Sequence, residues 1–184
     1  YWPRFEKIAQ QFVTKENQWR EQAKPYKTEI KGSMTIPTKN KDFTLHGRAD
    51  RIDVTLEGAA IIDYKSGGSF SKKSLETGDN PQLPLEAILL EGGGFKDVPP
   101  MSCTYLGYWI LNGSDPTENH DPHDIIVDTK AALIHLIETF DDDDIPYLSI
   151  PRATKLPRFN DYEHLARIKE WAVLDDDDAS EAAA

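Results

Sequence analysis

The sequence predicts an α/β domain with a central mixed β-sheet flanked by helices. Two regions, near the start of the chain and near residue 130, carry apolar residues at helical spacing among charged ones. The region between them carries short apolar runs bounded by turn residues, which is typical of strands. The segments follow the order helix, several strands, helix, strand, helix, helix, and this order indicates a sheet covered by helices.

The first half of the chain predicts one helix followed by three antiparallel strands. Apolar residues three, four and seven positions apart indicate the helix, and Pro25 marks its end. Turn residues separate the strands, the last two of which are joined by a hairpin-like turn at Glu57-Gly58. The predicted bounds are Pro3–Ala23 for the helix and Tyr26–Ile36, Phe43–Leu56 and Ala59–Lys65 for the strands.

The second half predicts three helices and one buried strand. Pro84 is compatible with a helix because it lies in the first turn, and Gly92 to Gly94 close that helix. We expect polar or proline-rich loops at 70–80 and 146–157. The predicted elements are a helix over 82–93, a strand over 101–111, and helices over 125–140 and 162–173.

Length and composition bound the class of protein. At 184 residues with 39% hydrophobic and 29% charged residues, the chain fits one globular domain, which we place at 1–174. An acidic, alanine-rich tail that we expect to be flexible covers 175–184.

The first residue is not Met, which indicates a C-terminal fragment of a larger protein. No apolar run approaches the roughly 18 residues of a membrane span, so we expect no membrane contact.

Charge and cysteine content exclude further classes. The formal net charge is −11, the wrong sign for a protein that holds nucleic acid on a broad basic surface. Cys103 is the only cysteine, so a disulfide framework and a thiolate metal cage are both excluded. A reducing, cytoplasmic setting fits best.

Two aspartates and a lysine stand at the ends of neighbouring predicted strands. A hairpin symmetrical about Glu57-Gly58 would pair Asp50 with a position near 65, so its carboxylate should face the end of the partner strand. That end carries Asp63 and Lys65, which point to one face because strand side chains alternate. Facing carboxylates raise each other's pKa unless a cation neutralises them, and oxygen ligands suit Mg²⁺ or Mn²⁺.

The same spacing assigns a role to each residue. Asp50, Asp63 and the backbone carbonyl of Tyr64 are the candidate metal ligands, and a bound cation would lower the pKa of water. Lys65 would orient that water or offset charge on a phosphate. Asp53 is the rival to Asp50, and its alternative role is to pair with Arg51 or Arg48. Lys72, Lys73, Arg48 and Arg51 are weaker candidates for phosphate contacts, and Glu29 is more simply read as solvated.

These residues resemble the PD-(D/E)XK nuclease superfamily and, within it, the RecB-like branch with its AddB-type nuclease domains. The resemblance is carried by Gly47-Arg48-Ala49-Asp50, by Asp63-Tyr64-Lys65, and by Gln82 in the segment PQLPLEAIL. The segments YWPRFEKIAQQFV, GDNPQLPLEA and LPRFNDYEHLARIKEW extend the likeness over most of the chain. The resemblance implies a restriction-endonuclease-like core.

The resemblance also implies an activity. It implies an Mg²⁺-dependent nuclease that processes DNA double-strand-break ends within a helicase–nuclease complex, with an AddA-like partner subunit in the bacterial cytoplasm. Gln82 would act beside Lys65 as a catalytic residue at the head of its helix. With Cys103 alone, the iron–sulfur cluster of some relatives cannot form.

The sequence departs from the family pattern at two places and leaves two alternatives open. Glu86 replaces a tyrosine often found four residues after the motif glutamine, and no role is assigned to it. No counterpart of the ligand that the family usually places on an upstream helix precedes the first strand. The domain could therefore be an inactive scaffold or DNA-binding module, or a nuclease that works without a helicase partner.

Overall fold

The computed structural model describes residues 2–67, 70–113 and 115–147. The chain divides into two compact units, 1–141 and 142–184. In the second unit, the described residues form a short turn in which the Ile145 N–H donates to the Asp142 carbonyl at 3.1 Å. The predicted helix at 162–173, the tail at 175–184 and most of the loop at 146–157 lie outside the described residues.

The first unit contains five strands and four helices within its described residues. In chain order they are α1 (Trp2–Trp19), β1 (Ala23–Ile36), β2 (Phe43–Thr55), β3 (Ala59–Lys65), α2 (Lys72–Glu76), α3 (Gln82–Glu91), β4 (Cys103–Ile110), β5 (Thr117–Asn119) and α4 (His123–Phe140). Among the described residues, no helix is long and apolar enough to cross a lipid bilayer.

The strands form one mixed sheet in the order β1-β2-β3-β4-β5. The first three strands pair antiparallel, β3 and β4 pair parallel, and β5 returns antiparallel beside β4. A parallel pair needs a long crossover, and α2 and α3 lie in the segment that joins β3 to β4. The mixed sheet flanked by helices confirms the predicted fold class.

The two faces of the sheet bury different residues. Along β3, Ile61 packs in a large core with the apolar side of α3, while Ala60 and Ile62 pack in a smaller core with Trp19 of α1. This division follows from the alternation of side chains along a strand. Since β3 is buried on both faces, its sequence reads as a continuous apolar run.

The first helix is shorter than predicted. It ends at Trp19, and the chain enters β1 at Ala23, which is buried. Pro25 therefore lies inside a strand and does not end the helix. The sheet tolerates it because β1 is an edge strand and its pairing register shifts between Pro25 and Lys27.

Two short elements were not predicted. The segment after residue 70 contains α2, whose first turn is closed by reciprocal hydrogen bonds between Ser71 and Ser74. The three-residue strand β5 is too short for its alternation to be recognised in the sequence. The other predicted elements that fall within the described residues are present. The strand β1 begins three residues earlier than predicted, the remaining ends differ by up to two residues, and the bounds of β3 match the prediction.

Candidate active site

Five polar side chains from three elements meet where β3 ends. We call them the strand-end cluster: Asp50 from β2, Asp63 and Lys65 from β3, and Gln82 and Glu86 from α3. The first four were predicted as site residues from the sequence. Glu86 was noticed there without a role.

The β2–β3 hairpin places Asp50 level with Asp63. The ladder pairs Arg51 with Ile62, two residues away from the register of a turn symmetrical about Glu57-Gly58. The turn is centred one residue earlier, on Leu56-Glu57, where the Thr55 N–H donates to the Gly58 carbonyl at 2.9 Å and the Thr55 hydroxyl accepts the N–H groups of Glu57 and Gly58. The predicted register was thus wrong by two residues, although Asp50 still faces the end of β3.

The Asp50 carboxylate is held by the partner strand. Its Oδ2 accepts the backbone N–H of Tyr64 at 3.1 Å. On the other side of β2, the paired positions Thr28–Arg51 and Ile30–Ala49 flank Glu29, whose φ is 53°. A left-handed conformation at a residue other than glycine costs about 1 kcal/mol or more, and such strain concentrates at functional sites.

Asp63 and Lys65 share a face, as the alternation predicts. Lys65 Nζ lies 2.8 Å from Asp63 Oδ2. Burial raises the pKa of Asp63; the Lys65 ammonium opposes this, the Asp50 carboxylate adds to it, and the net pKa stands above its ordinary value. An added positive charge would therefore stabilise the ionised form of this carboxyl group.

Gln82 connects the lysine to the carboxylates. Its Oε1 accepts from Lys65 Nζ at 2.9 Å, and its Nε2 donates to Asp63 Oδ1 at 2.6 Å. The same Nε2 lies 3.1 Å from Glu86 Oε1, one helical turn further along α3. The amide thus orients Lys65 and Asp63 together, which places Gln82 beside the lysine as the family resemblance implies.

Glu86 is a buried carboxyl group. Only 3% of the residue is exposed. Burial is the main cause that raises the pKa of Glu86 to about 8; the hydrogen bond from Gln82 opposes the rise, and the charges of Asp63 and Asp50 increase it. The sequence contained one signal for this residue, because Gln82 and Glu86 stand four apart and so share a helical face.

Gly47 allows α3 to approach β2 closely. A Cβ atom at this position would lie 2.6 Å from Leu89 Cδ1 and 4.0 Å from Glu86 Cγ. Carbon atoms at 2.6 Å clash, so a larger residue would displace the buried Leu89 side chain of α3. The first glycine of the Gly-x-x-Asp motif therefore has a packing role, which is to bring the helix that carries Gln82 and Glu86 near Asp50.

The other face of the sheet supports Tyr64. As predicted, its side chain turns away from Asp63 and Lys65 and packs near Phe12 and Trp109, with ring centroids 6.0 and 6.1 Å away. Its hydroxyl accepts a hydrogen bond from Arg51 at 2.9 Å. These contacts fix the side chain of Tyr64 and thereby restrict its backbone, whose carbonyl is a candidate ligand.

Asp53 and Arg51 belong to that opposite face. Arg51 makes two hydrogen bonds to Asp53, at 2.7 and 2.6 Å, and two to Glu16 of α1, at 2.7 and 3.1 Å. Trp19 also donates to Asp53 at 2.7 Å. The alternative assignment of Asp53 as partner of Arg51 is therefore the one observed, and the suggested phosphate contact of Arg51 is wrong because its side chain is buried.

The remaining charged candidates lie at the surface. Glu29 and Arg48 are exposed and form an ion pair with each other. Lys72 is exposed on α2 and lies 3.9 Å from Glu76. None of these side chains forms part of the hydrogen-bond network of the strand-end cluster within the described residues.

The donor atoms of the cluster fit a divalent cation. Asp63 and Glu86 each keep one buried carboxylate oxygen that accepts no hydrogen bond, although that of Asp63 is the one near Lys65. Hard cations prefer such oxygen ligands. In the part of the chain that the structure describes, no three His, Cys, Asp or Glu side chains form a group that could hold a metal ion as they stand.

Removal of the Glu86 charge is expected to change how stability depends on pH. The folded pKa of about 8 lies above the ordinary value of 4.5, so the contribution of Glu86 to the stability of the metal-free protein is fully present below pH 4.5 and is lost as pH rises toward 8. Glu86→Gln should abolish this loss and raise the free energy of unfolding by about 2–3 kcal/mol at pH 7. Urea unfolding with EDTA at pH 5 and pH 7.5 measures the difference; an equal effect at both values would contradict the assignment.

Comparisons with known proteins place the chain in a family. A model of the PD-(D/E)XK nuclease superfamily matches residues 2–154. Uncharacterized proteins of Rickettsia conorii and Rickettsia bellii are 25% identical over 187 residues and 23% identical over 176 residues. The alignments cover 87% and 86% of this chain but 22% and 21% of those proteins, so the chain spans about a fifth of their length.

One solved structure is similar at low identity. The crystal structure of SSO0001 is 19% identical, with a TM-score of 0.42, and the match covers 82% of this chain and 68% of that chain. The family match rests on the sequence and spans β2, β3 and α3, so it includes the whole strand-end cluster. It covers well over half of the chain. The chain therefore belongs to the PD-(D/E)XK nuclease superfamily, whose nucleases typically use divalent metal ions.

Proposed function

We propose that this domain hydrolyses phosphodiester bonds of DNA at double-strand-break ends, as the nuclease part of a helicase–nuclease complex in the bacterial cytoplasm. The observation that carries the proposal is the contact of Asp63 with Lys65 and Gln82, level with Asp50, in a chain of the nuclease superfamily. The likeness of the chain to AddB-type nuclease domains supports the repair role.

In this proposal Asp50, Asp63 and the Tyr64 carbonyl hold Mg²⁺ or Mn²⁺. When bound, such a cation activates water and offsets negative charge on the phosphate. The raised pKa of Asp63 supports the assignment, since a carboxyl group that is costly to ionise in the empty site becomes a favourable anionic ligand beside a cation. The anchored Tyr64 side chain supports a fixed position for its carbonyl.

Lys65 supplies a positive charge beside the proposed cation site. Asp63 and Gln82 orient its Nζ from one side, at 2.8 and 2.9 Å. The rings of Tyr108 and Phe70 lie 5.6 and 5.7 Å from Nζ and supply a partly apolar surrounding. A lysine held in this way can orient water or stabilise the additional charge of the phosphate in the transition state with little reorganisation.

The net charge supports a role for a partner. With a formal charge of −11, the chain lacks the excess of lysine and arginine that holds a DNA backbone by itself. An AddA-like helicase subunit would supply the DNA-binding surface and deliver the end to the strand-end cluster. On this basis the domain cuts DNA efficiently only within the complex.

Asp63→Asn tests the function in the full-length protein with its partner. We expect metal-dependent cleavage of end-labelled single-stranded and duplex DNA to fall by about 10²–10³-fold, because the change removes a ligand charge. The same change at the exposed Asp128 of α4 is the matched control and should leave the rate unaltered. EDTA should abolish cutting by the wild type.

Two results would contradict the proposal. Full cleavage by Asp63→Asn would show that the strand-end cluster is not the nuclease site. Absence of any metal-dependent cleavage by the wild-type complex would favour the alternative of a scaffold or DNA-binding module. Cleavage without any helicase partner would instead favour a nuclease that works alone.

A further inference from the structure

Glu86 carries a buried oxygen atom without a hydrogen bond. Its Oε1 accepts from Gln82 Nε2 at 3.1 Å, but its Oε2 is buried and accepts no hydrogen bond. The residue is 3% exposed and lies on the turn of α3 that Gly47 brings close to β2. An unpaired buried oxygen of this kind is costly unless it has a partner that the protein itself does not contain.

A cation would suit this oxygen, because the charged groups around Glu86 are mainly carboxylates. The ionised groups that act on Glu86 are the carboxylates of Asp63 and Asp50 and the ammonium of Lys65. With Glu86 ionised, these three carboxylates and one ammonium leave two negative charges at the end of β3. A divalent cation carries the equal and opposite charge, and oxygen atoms are the ligands that Mg²⁺ and Mn²⁺ prefer.

The position of Glu86 relative to Asp63 agrees with such a partner. A single amide nitrogen, Gln82 Nε2, donates to Asp63 Oδ1 at 2.6 Å and to Glu86 Oε1 at 3.1 Å. The two carboxylates are therefore held around one donor. The second oxygen of Glu86 is buried without a hydrogen bond, and the second oxygen of Asp63 is buried 2.8 Å from Lys65 Nζ. Gln82 thus fixes the spacing of a carboxylate pair that a cation can bridge.

We propose that Glu86 is a third carboxylate ligand of the divalent cation, supplied by α3 to the site formed by Asp50 and Asp63. The proposal rests on the proposed nuclease function, since it concerns the same cation. It assigns a ligand to α3, a helix that follows the strand pair in the chain. The rival interpretation is that Glu86 is a neutral structural acid that binds no metal.

Manganese binding distinguishes the two interpretations without any assay of cleavage. We suggest titration of the full-length protein with Mn²⁺, with free ion measured by electron paramagnetic resonance, for the wild type, Glu86→Gln and Asp63→Asn. Glutamine keeps the size of the side chain and an oxygen that can accept from Gln82. Glu86→Gln should weaken Mn²⁺ binding by at least 10-fold, and Asp63→Asn should weaken it at least as much.

Two further variants control for charge and for folding. Glu138→Gln makes the same change on the exposed surface of α4 and should leave Mn²⁺ affinity unaltered. Glu86→Asp keeps the charge on a shorter side chain, so it should bind Mn²⁺ more tightly than Glu86→Gln. Thermal unfolding with EDTA confirms that each variant is folded, and added Mn²⁺ should raise the midpoint of Glu86→Gln less than that of the wild type.

The possible failures are distinct. Wild-type affinity in Glu86→Gln, together with weak binding by Asp63→Asn, would overturn the role of Glu86 and leave the proposed nuclease site intact. Equal affinities of Glu86→Asp and Glu86→Gln would also overturn it, because charge would then be irrelevant. Absence of Mn²⁺ binding by the wild type would overturn both this inference and the metal site of the proposed function.

Discussion

Lys65→Met is expected to lower the rate of metal-dependent DNA cleavage by about 10²–10⁴-fold while the protein still binds Mn²⁺. The Lys65 ammonium is held by Asp63 and Gln82 at the end of β3, so its charge is already in place when a phosphate arrives. Removal of one preorganised group of this kind commonly costs two to four orders of magnitude in rate. Methionine keeps much of the length of the side chain and removes the charge together with the contacts of the ammonium with Asp63 and Gln82.

Single-turnover cleavage of end-labelled DNA by the full-length protein, with the proposed helicase partner present, measures this effect. Lys130→Met is the matched control, since it removes a lysine from the exposed surface of α4. A fall in rate with unchanged Mn²⁺ affinity would separate the lysine from the metal ligands, because Asp63→Asn should lower both. Wild-type rates in Lys65→Met would exclude the proposed role of the strand-end cluster.

Arg51→Met is expected to lower the free energy of unfolding by about 3–5 kcal/mol. The change leaves the fully buried Asp53 carboxylate without its two hydrogen bonds from the guanidinium group, and Glu16 keeps only its ion pair with Arg20. An uncompensated buried charge carries a cost of this size. Burial lowers the pKa of Arg51, but its hydrogen bonds to Asp53, Glu16 and Tyr64 outweigh that effect and hold the pKa above its ordinary value.

Urea unfolding of the two variants Arg51→Met and Arg48→Met measures the difference. Arg48 is exposed and its ion pair with Glu29 is at the surface, so its loss should cost less than about 1 kcal/mol. The double variant Arg51→Met, Asp53→Leu should recover part of the lost stability, because it removes the uncompensated charge together with its partner. Similar losses for Arg51→Met and Arg48→Met would show that the buried pair is not required.

The Arg51 network also connects α1 to the candidate site. Arg51 Nη1 donates both to Glu16 of α1 and to the Tyr64 hydroxyl. Tyr64 follows Asp63 and precedes Lys65 in β3. Through Arg51, α1 is therefore connected to Tyr64, the residue between Asp63 and Lys65. The side chains of Asp63 and Lys65 lie on the opposite face of the sheet.

Local patterns were sufficient to predict the elements that carry the site. The alternation along β3 placed Asp63 and Lys65 on one face with Tyr64 on the other, and the structure agrees for both. The apolar run before Asp63 predicted a buried strand, and its bounds are those observed. These predictions depend only on the geometry of a single strand, which is the same in every protein.

Predictions that depended on contacts between elements were less accurate. The hairpin register was displaced by two residues because the turn is centred on Leu56-Glu57 and not on Glu57-Gly58. Pro25 was taken as the end of a helix, although the position of β1 at the edge of the sheet allows it inside a strand. In both cases the local sequence is compatible with more than one conformation, and the neighbouring elements select one of them.

The sequence by itself determined the α/β class, the strand β3 and the residues of the motif that carries the family resemblance. Only the tertiary structure decided what Glu86 and Arg51 do. Glu86 is a buried carboxyl group close to Asp63 because Gly47 lets α3 pack closely on β2. Arg51 is not available for a phosphate contact because its side chain is buried and bonded to Glu16 of α1. Burial and electrostatic environment are properties of packed elements, so the order of residues along one element cannot specify them.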